Sequence, residues 1–357
     1  MSDSSVLIIG IGMTTAVGLS SAETAASVRA GTMRFVEGSF LDKRYRPLTL
    51  AEVPEDPLPP IVESLAGETG LTALEQRLLR LATQPLHECL RPLAGQPMRP
   101  GMCLALPAAR KQATHTIDRS AFLRRLYSQV GGTFDPARSD ASHSGRAGGI
   151  AAIGQAVAAI RSGVADVMLA GAIDSYRDLS LLAMLDQEQR VKTGANLDGF
   201  IPGEGAGFLL IASPSKAASL GVPILATLSP VAQGFEAGHL ESTEPYRGDG
   251  LANAFRQLVA IGAVDAPIND VYSSMNGESH WAKEWGVGYL RNRSIFDESH
   301  AMHHPADCYG ELGAACGPVL VGLAATGIAR GYRRAPALVY GSSDDGARCA
   351  VVVGTAH

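Results

Sequence analysis

Cysteine is the residue type in this chain with the widest capacity for chemistry, because it can serve as a nucleophile, a metal ligand or half of a disulfide bond. The sequence has five cysteines: Cys89, Cys103, Cys308, Cys316 and Cys349. Their number is odd, their spacing is wide and no CxxC motif occurs, which argues against a disulfide framework and against a zinc site. We therefore expect free thiols, no metal and a cytoplasmic protein.

Histidines and glycines give two further candidate sites. His300, His303 and His304 are close together, but no cysteines or carboxylates at metal-site spacing accompany them, so a solvated loop is the favoured interpretation. Gly10 and Gly12 match the start of the dinucleotide-binding pattern GxGxxG. Thr15 occupies the place of the third glycine, so we expect no nucleotide and no other cofactor.

Composition narrows the class of protein. The chain has 357 residues, of which 46% are hydrophobic and 18% charged, enough for a large core or two domains. Its net charge of −5 gives the whole chain no electrostatic signature of nucleic-acid binding. Residues 312–329 carry no charge but are rich in glycine and alanine and contain Pro318, which predicts a buried helix and no membrane span.

Two apolar segments rich in small residues are the elements expected to position a functional site. Residues 147–160 and 312–329 are both apolar on all sides and rich in small residues, the pattern of a helix buried on every face. Each leads into a short apolar strand, at residues 167–171 and 337–340. A helix buried on both faces needs a layer of sheet on each side. The repeated pattern therefore predicts two similar α/β halves around a shared layer of helices.

Three longer stretches resemble one protein family. They are VLIIGIGMTTAVG at the N-terminus, RAGGIAAIGQAVAAIRSGVADVMLAGAIDS in the first half, and DGFIPGEGAGFLLI after it. The chain resembles the β-ketoacyl-acyl-carrier-protein synthases of the thiolase superfamily, which carry a very similar Asp-Gly-Phe-x-x-Gly-Glu-Gly-Ala-Gly segment. The resemblance implies a thiolase fold, with duplicated βαβαβαββ halves at residues 1–211 and 212–357 in a five-layer α/β/α/β/α sandwich.

The glycine-rich segment contains an acidic residue that needs an interpretation of its own. Glu204 lies between Gly203 and Gly205, with Gly207 close behind. In the family this segment is a structural turn, so the resemblance implies a structural role for Glu204 and no catalytic one.

The resemblance places an arginine where the family has its catalytic cysteine. Counting back from Gly154, the nucleophile position falls on Arg146. Condensation needs a thiolate at a helix N-terminus, where the helix dipole lowers the pKa of the thiol and backbone N–H groups stabilise the oxyanion. Arginine is no nucleophile, and its charge is wrong for a helix N-terminus.

The family's two catalytic histidines have no counterparts either. VYSSMNGES falls where the family has His-Gly-Thr, which puts the first histidine position on Asn276 and the threonine position on Glu278. CYGELGAACG falls on the second motif and puts its histidine on Gly310 or Glu311. The family's lysine falls on about Pro305. A carboxylate would oppose both enolate stabilisation and binding of a thioester carbonyl, so the resemblance implies no catalytic residues.

Three functions follow from these replacements. The first is a catalytically inactive binding protein that acts as a scaffold, an adaptor or a partner subunit. The second is an atypical acyltransferase or 3-oxoacyl synthase that uses other residues, such as Cys308 or Cys316, although free cysteines are more often small core residues. The third is a sensor of acyl chains or small molecules in the inherited pocket. The first is the preferred interpretation.

The resemblance also implies the class of partner. Inactive members of the superfamily are partner subunits of active synthases, and some stand-alone members accompany bacterial secretion effectors as adaptors. An acidic acyl carrier protein is a further candidate, for which Arg119, Arg124 and Arg125 offer a docking face; the alternative is a solvated helix face. We expect a homodimer or a heterodimer of thiolase-fold chains. In the family the strand after the 147–160 helix pairs with its copy, and an exposed strand edge needs a partner.

The replaced positions are mutually compensating in charge. The family geometry points residue 146 and the loops at 276–278 and 310–311 towards one place. We therefore expect Arg146 to fill the pocket, neutralised there by Glu311, Glu278 or both, because a buried guanidinium without a partner is costly. The alternative is that Arg146 turns outwards. Asp344 and Asp345 stand where the family has a glycine-rich loop before the last strand.

Overall fold

Both apolar runs predicted to be strands, at residues 167–171 and 337–340, are strands in the structure. The computed structural model describes residues 6–109 and 116–356. Its strands are β1 (Val6–Thr15), β2 (Val36–Leu41), β3 (Pro47–Leu50), β4 (Gly101–Leu106), β5 (Asp140–His143), β6 (Val167–Ser175), β7 (Glu204–Ala212), β8 (Ala226–Leu228), β9 (Ala232–Phe235), β10 (Ile268–Ser273), β11 (Phe296–His303), β12 (Ala337–Ser342) and β13 (Ala347–Gly354).

The helices alternate with these strands. They are α1 (Ser21–Arg29), α2 (Ala73–Cys89), α3 (Arg119–Gln129), α4 (Gly145–Arg161), α5 (Leu179–Gln187), α6 (Pro214–Leu220), α7 (Asp249–Ala260), α8 (Ser279–Arg291), α9 (Ala306–Tyr309) and α10 (Cys316–Ala329). A capping box opens α2, with Glu75 N–H donating to Thr72 Oγ1 at 3.2 Å and Thr72 N–H donating to Glu75 Oε2 at 3.1 Å. Within the described residues, no helix is both long and apolar enough to cross a membrane.

The pairing of the strands repeats between the two parts of the chain. The first set has the order β5-β4-β6-β7-β1 and the second the order β11-β10-β12-β13-β9, with parallel and antiparallel pairs at equivalent places. β8 pairs with both β1 and β13 and so joins the two sets into one sheet. This topology confirms the predicted thiolase-type architecture, while the boundary at residues 211 and 212 stays a prediction.

Helices α4 and α10 form the central layer. They contact each other, α4 contacts β4 and β6 on one side and β12 and β13 on the other, and α10 likewise contacts strands of both sets. Close packing is possible because small residues meet. A Cβ atom at Gly149 of α4 would lie 2.5 Å from the carbonyl oxygen of Ala314, just before α10. Helices α2 and α3 cover the outer face of the first set, and α7 and α8 that of the second.

One sequence-based expectation about strand edges is wrong. The strand at 167–171 is part of β6, which pairs along its length with β4 and β7 and has no open edge. The outer strand of that set is the short β5, which comes before α4 in the chain. An apolar strand pattern reports burial of the two faces, whereas the order of strands depends on long-range pairing that the pattern does not contain.

Two other expectations about exposed groups are also wrong. His300 and His303 lie on β11, and His303 Nε2 lies 2.7 Å from Asp270 Oδ1, so this segment is no solvated loop. No group of three potential metal ligands occurs among the described residues. Arg125 of α3 is buried and pairs with Glu75 at 2.6 Å, while Arg124 remains exposed. The helical period of α3 turns Arg125 towards α2.

The central helix layer gives a direct test with a matched control. Gly149→Ala should destabilise the protein by ~1–3 kcal/mol, because the added methyl group overpacks the contact with Ala314. Gly286→Ala, in α8, has open space around it and should stabilise by ~0.5–1 kcal/mol through helix propensity. Urea unfolding of both variants measures the difference. Equal effects of the same sign would show that the α4 contact is looser than described.

Candidate functional site

The N-terminus of helix α4 lies at the centre of the candidate site. Gly145 has a φ of 53°, a left-handed conformation that favours glycine, and it turns the chain from β5 into the helix. The N–H of Ala147 donates to Ser343 Oγ at 2.9 Å, and the Ser343 hydroxyl donates to the carbonyl of Ser144 at 3.0 Å. A serine from the turn between β12 and β13 therefore caps this helix.

Arg146 extends from that N-terminus into a closed polar centre. Its side chain is only 5% exposed. Nη1 donates to Glu311 Oε2 at 3.0 Å, Nη2 donates to Asp344 Oδ1 at 2.7 Å, and the guanidinium carbon lies 3.9 Å from the centre of the Trp281 ring. Burial opposes the charge, yet the carboxylates of Glu311 and Asp344 outweigh it and raise the pKa of Arg146. The site thus contains a permanent cation.

Glu311 is the buried partner, and its loop is fixed by glycine. Gly310 has a φ of 74°, and a Cβ atom there would lie 2.7 Å from the carbonyl oxygen of Ile201. The Glu311 carboxylate accepts from Arg146, from Asn276 Nδ2 at 2.8 Å and from Gly313 N–H at 2.8 Å. Burial raises the pKa of Glu311 even though Arg146 acts in the opposite direction.

Glu278 lies in the same centre but has a different cationic partner. Arg190 forms a two-pronged pair with it, Nε to Oε1 at 2.7 Å and Nη2 to Oε2 at 2.9 Å. Trp281 Nε1 also donates to Glu278 Oε2, at 2.9 Å. Burial favours the neutral acid, but Arg190 outweighs this and lowers the pKa of Glu278. Of the two glutamates expected beside Arg146, Glu311 makes the direct pair and Glu278 is held by Arg190.

Asp344 connects the two arginines. Its Oδ1 accepts from Arg146, and its Oδ2 accepts from Arg190 Nη1 at 2.8 Å. Sequence reasoning noted Asp344 in the replaced loop without giving it a role, and it missed Arg190 and Trp281. Trp281 follows Glu278 by three residues, a helical spacing that could have suggested contact. Arg190 lies in an irregular segment after α5, where sequence carries no such signal.

The resulting network has a definite chemical character. We refer to Arg146, Arg190, Glu278, Glu311 and Asp344 as the charge network. It contains two cations and three carboxyl groups, and the excess negative charge is consistent with the raised pKa of the buried Glu311. The imidazole of His239 lies 3.1 Å from the backbone carbonyl oxygen of Asp344, while the side chains of the network bind one another, Asn276 and Trp281. The arrangement is suited to holding segments together.

The glycine-rich segment that was expected to be a turn is the start of a strand, because Glu204, Gly205 and Gly207 all lie on β7. We keep the name glycine-rich turn for residues 203–207, which support the candidate site. Glu204 is buried and accepts from Val53 N–H at 2.9 Å, from the Ser175 hydroxyl at 2.8 Å and from Arg77 Nε at 3.0 Å. Gly203 N–H donates to the carbonyl of Glu311 at 3.0 Å. The turn therefore fixes the backbone that presents the Glu311 side chain.

The other glycines of the turn allow backbones to approach closely. A Cβ atom at Gly205 would lie 2.6 Å from the Thr14 carbonyl oxygen, and one at Gly207 would lie 2.9 Å from the backbone nitrogen of Val319. These contacts give the glycines of β7 a structural role, and Glu204 serves as an internal anchor at the start of the strand.

The cysteines are not members of the charge network. All five are free and buried. Burial raises the pKa of the Cys308 and Cys316 thiols, with Asp307 and Glu311 respectively adding to the effect. Neither side chain is held as a thiolate, which is the form that attacks an acyl group.

A cleft of about 580 Å³ opens beside the charge network. Arg146, Ser343 and Asp344 form part of one wall, and Leu74, Ile117, Leu181 and Met184 are among its apolar lining residues. Arg146 and Asp344 are thus the members of the charge network that line this partly apolar cleft.

Comparison with known proteins adds to this geometry. Residues 138–217, which include α4 and the glycine-rich turn, match the family model of the beta-ketoacyl synthase N-terminal domain. No curated protein sequence matches the chain. The ishigamide ketosynthase/chain length factor superposes on it with a TM-score of 0.79 at 16% sequence identity, and the match covers 99% of this chain and 99% of the matched chain. The chain has the ketosynthase fold.

Two further ketosynthase structures have the same fold. A type II polyketide synthase ketosynthase, solved with its acyl-carrier protein and bound to the hexaketide, gives a TM-score of 0.78 at 16% identity over 99% of both chains. The oxazolomycin ketosynthase domain of Streptomyces albus gives 0.81 at 15% identity, over 99% of this chain and 75% of that one. The duplicated sheet and the central helices α4 and α10 are therefore those of a ketosynthase-like thiolase fold.

The pair between Arg146 and Glu311 can be measured by a double-mutant cycle. Arg146→Ala should cost about 3–5 kcal/mol of unfolding free energy, because it leaves the buried carboxylate of Glu311 without its cation. Glu311→Ala should also destabilise, and the double variant should lose less than the sum of the two. Arg124→Ala, an exposed arginine in a long contact of 3.4 Å, serves as the control and should have little effect. Strict additivity would refute a direct pair.

Proposed function

We propose that this chain is a ketosynthase-like protein without condensing activity, which works by binding another protein. The observation that carries the proposal is the position of Arg146 at the N-terminus of α4, buried and paired with two carboxylates. By its resemblance to the family, this is the place of the nucleophile.

The N-terminus of α4 lacks the chemistry that acyl transfer requires. A nucleophile there gains from the positive end of the helix dipole, which favours a thiolate. A guanidinium is repelled by the same dipole and remains only because Glu311 and Asp344 neutralise it. The hydroxyl of Ser343 is committed to the helix end, because it accepts from the N–H of Ala147 and donates to the carbonyl of Ser144. The five residues of the charge network include no thiol and no hydroxyl.

The groups that would have to stabilise a developing oxyanion are equally unsuited to condensation. Condensing chemistry develops negative charge on a carbonyl oxygen, which must meet hydrogen-bond donors or cations. The amide of Asn276 is directed to the carboxylates of Glu278 and Glu311 at 3.1 and 2.8 Å. A developing oxyanion placed near Glu311 would meet a carboxyl group. Loss of the family's catalytic residues is therefore the interpretation that fits both sides of the pocket.

Partner proteins are the second part of the proposal. Two structures of the same fold are assemblies by their own description, a ketosynthase/chain length factor and a ketosynthase with its acyl-carrier protein. By analogy, we propose a second thiolase-fold chain as the partner, with a carrier protein or a secretion effector as alternatives.

A sensor of small molecules is the second candidate function, and one observation favours it. The cleft of about 580 Å³ lies within the size range of ligand pockets and combines apolar walls with a few polar groups. An atypical acyltransferase is less well supported, because the only thiols near the centre, Cys308 and Cys316, are buried and have raised pKa values.

Intact-mass measurement tests the absence of acyl transfer. After incubation with acyl-CoA or acyl-carrier protein, we expect no covalent acyl adduct, because no described group near the cleft is an accessible thiolate. An active ketosynthase treated in parallel shows that the reagents are competent. A stoichiometric adduct on this chain, above all one mapped to Cys308 or Cys316, would overturn the proposal in favour of an acyltransferase.

Light scattering tests the assembly. We expect a two-fold dimer at micromolar concentration, formed along the outer edge of β5. At that edge Ala141 N–H bonds to Asp140 Oδ1 at 2.9 Å, and the Ala141 carbonyl accepts from Arg119 at 3.1 Å. A partner strand must replace these bonds, so Ala141→Pro, which removes an N–H on the outer edge, should weaken association. Ser215→Pro, in the first turn of α6 where the N–H has no partner within the helix, serves as a remote control. A monomer would exclude the homodimer.

A further inference from the structure

A shallow hollow at the far end of α10 has the chemistry of an anion site. It encloses about 340 Å³ and is lined by the end of α1 and the residues after α10, namely Ala25, Ala26, Arg29, Ala30, Arg330 and Tyr332. Helix α10 starts five residues after Glu311 and spans 14 residues. At 1.5 Å per residue, the hollow lies about 20 Å from the charge network along the helix.

The arginines of the hollow are oriented but unpaired. The guanidinium carbon of Arg29 lies 4.5 Å from the centre of the Tyr332 ring, so one face of the guanidinium is stacked. Stacking leaves the N–H groups in the plane of the guanidinium available. Arg29 and Arg330 are both exposed, and across residues 6–109 and 116–356 neither side chain forms an ion pair or a hydrogen bond.

The arginines of the hollow carry more positive charge than is needed to balance the negative ends of the neighbouring helices. Both α1 and α10 end at the hollow, and a helix C-terminus carries about −0.5 of a charge, so the two ends contribute about −1. Arg29 and Arg330 contribute two positive charges, so about one positive charge remains uncompensated, and none of the described lining residues is acidic. Arg333 is not counted, because it does not line the hollow and interacts with Asp270 and Tyr272.

We propose that this hollow binds a phosphate monoester dianion. Such a group carries close to two negative charges and three strong acceptor oxygens, which the guanidinium groups of Arg29 and Arg330 can neutralise and bind. The planar fork of an arginine pairs with two phosphate oxygens at once, and the stacked Arg29 is already oriented to do so. The ester belongs either to a small molecule or to a phosphorylated protein segment. This binding is independent of the proposed loss of condensing activity.

Isothermal titration calorimetry of the full chain at low ionic strength and a pH of about 7.5, where phosphate is mainly dianionic, tests this site. The probes are inorganic phosphate, glycerol 3-phosphate and an otherwise uncharged phosphoserine peptide. We expect saturable binding at one site, weakened at least roughly tenfold in the double variant Arg29→Gln/Arg330→Gln. The tighter of the two esters identifies the source of the phosphate.

The control substitutes an exposed arginine at the end of a different helix. Arg161 is exposed in the last turn of α4, so Arg161→Gln removes a helix-end arginine outside the hollow and should leave binding unchanged. Arg29→Lys keeps the positive charge but loses the planar guanidinium. Its affinity for phosphate should lie between that of the unaltered protein and that of the double variant, and this comparison holds even if the double variant is less stable. Failure of both esters to bind, or equal weakening by Arg161→Gln, would overturn the proposal.

Discussion

The structure around the candidate site depends on one requirement, that the buried guanidinium of Arg146 be neutralised. Removing an arginine from water is costly, and the carboxylates of Glu311 and Asp344 must therefore stay within hydrogen-bond distance of it. Those two residues come from loops more than thirty residues apart, and each loop is in turn fixed by further contacts. A single buried cation thereby sets the position of the loop before α10 and of the turn between β12 and β13.

The same requirement explains why the surrounding residues form one connected set. Asp344 also binds Arg190, Arg190 binds Glu278, and Glu278 accepts from the Trp281 indole that stacks against Arg146. Behind them the glycine-rich turn fixes the Glu311 backbone. The network joins the end of β10, the start of α8, the segment after α5 and the central helix layer. Because the charged groups of the network neutralise one another, the place where these elements meet is a structural contact.

The sequence predicted the architecture because its signals are local and repeated. Two small-residue helices followed by apolar strands are enough to indicate duplicated α/β halves, and the motif around Glu204 identified the fold. Arg146, Asn276 and Glu311 do meet in space. The role of Arg190 escaped because an irregular segment has no periodicity from which a direction can be inferred. The edge strand was misplaced because burial of side chains does not report which backbone groups are paired. Arg125 and His303 were expected in solvent because a charged or polar residue with a buried partner looks the same in sequence as one without.

The most direct measurement of the central claim is a crystal structure of the protein solved after soaking with an acyl thioester. We predict that the Arg146 guanidinium lies about 3 Å from both Glu311 and Asp344 and that no acyl group is bound at the N-terminus of α4. An Arg146 side chain turned away from both carboxylates, with an acyl chain or an open pocket in its place, would contradict the account.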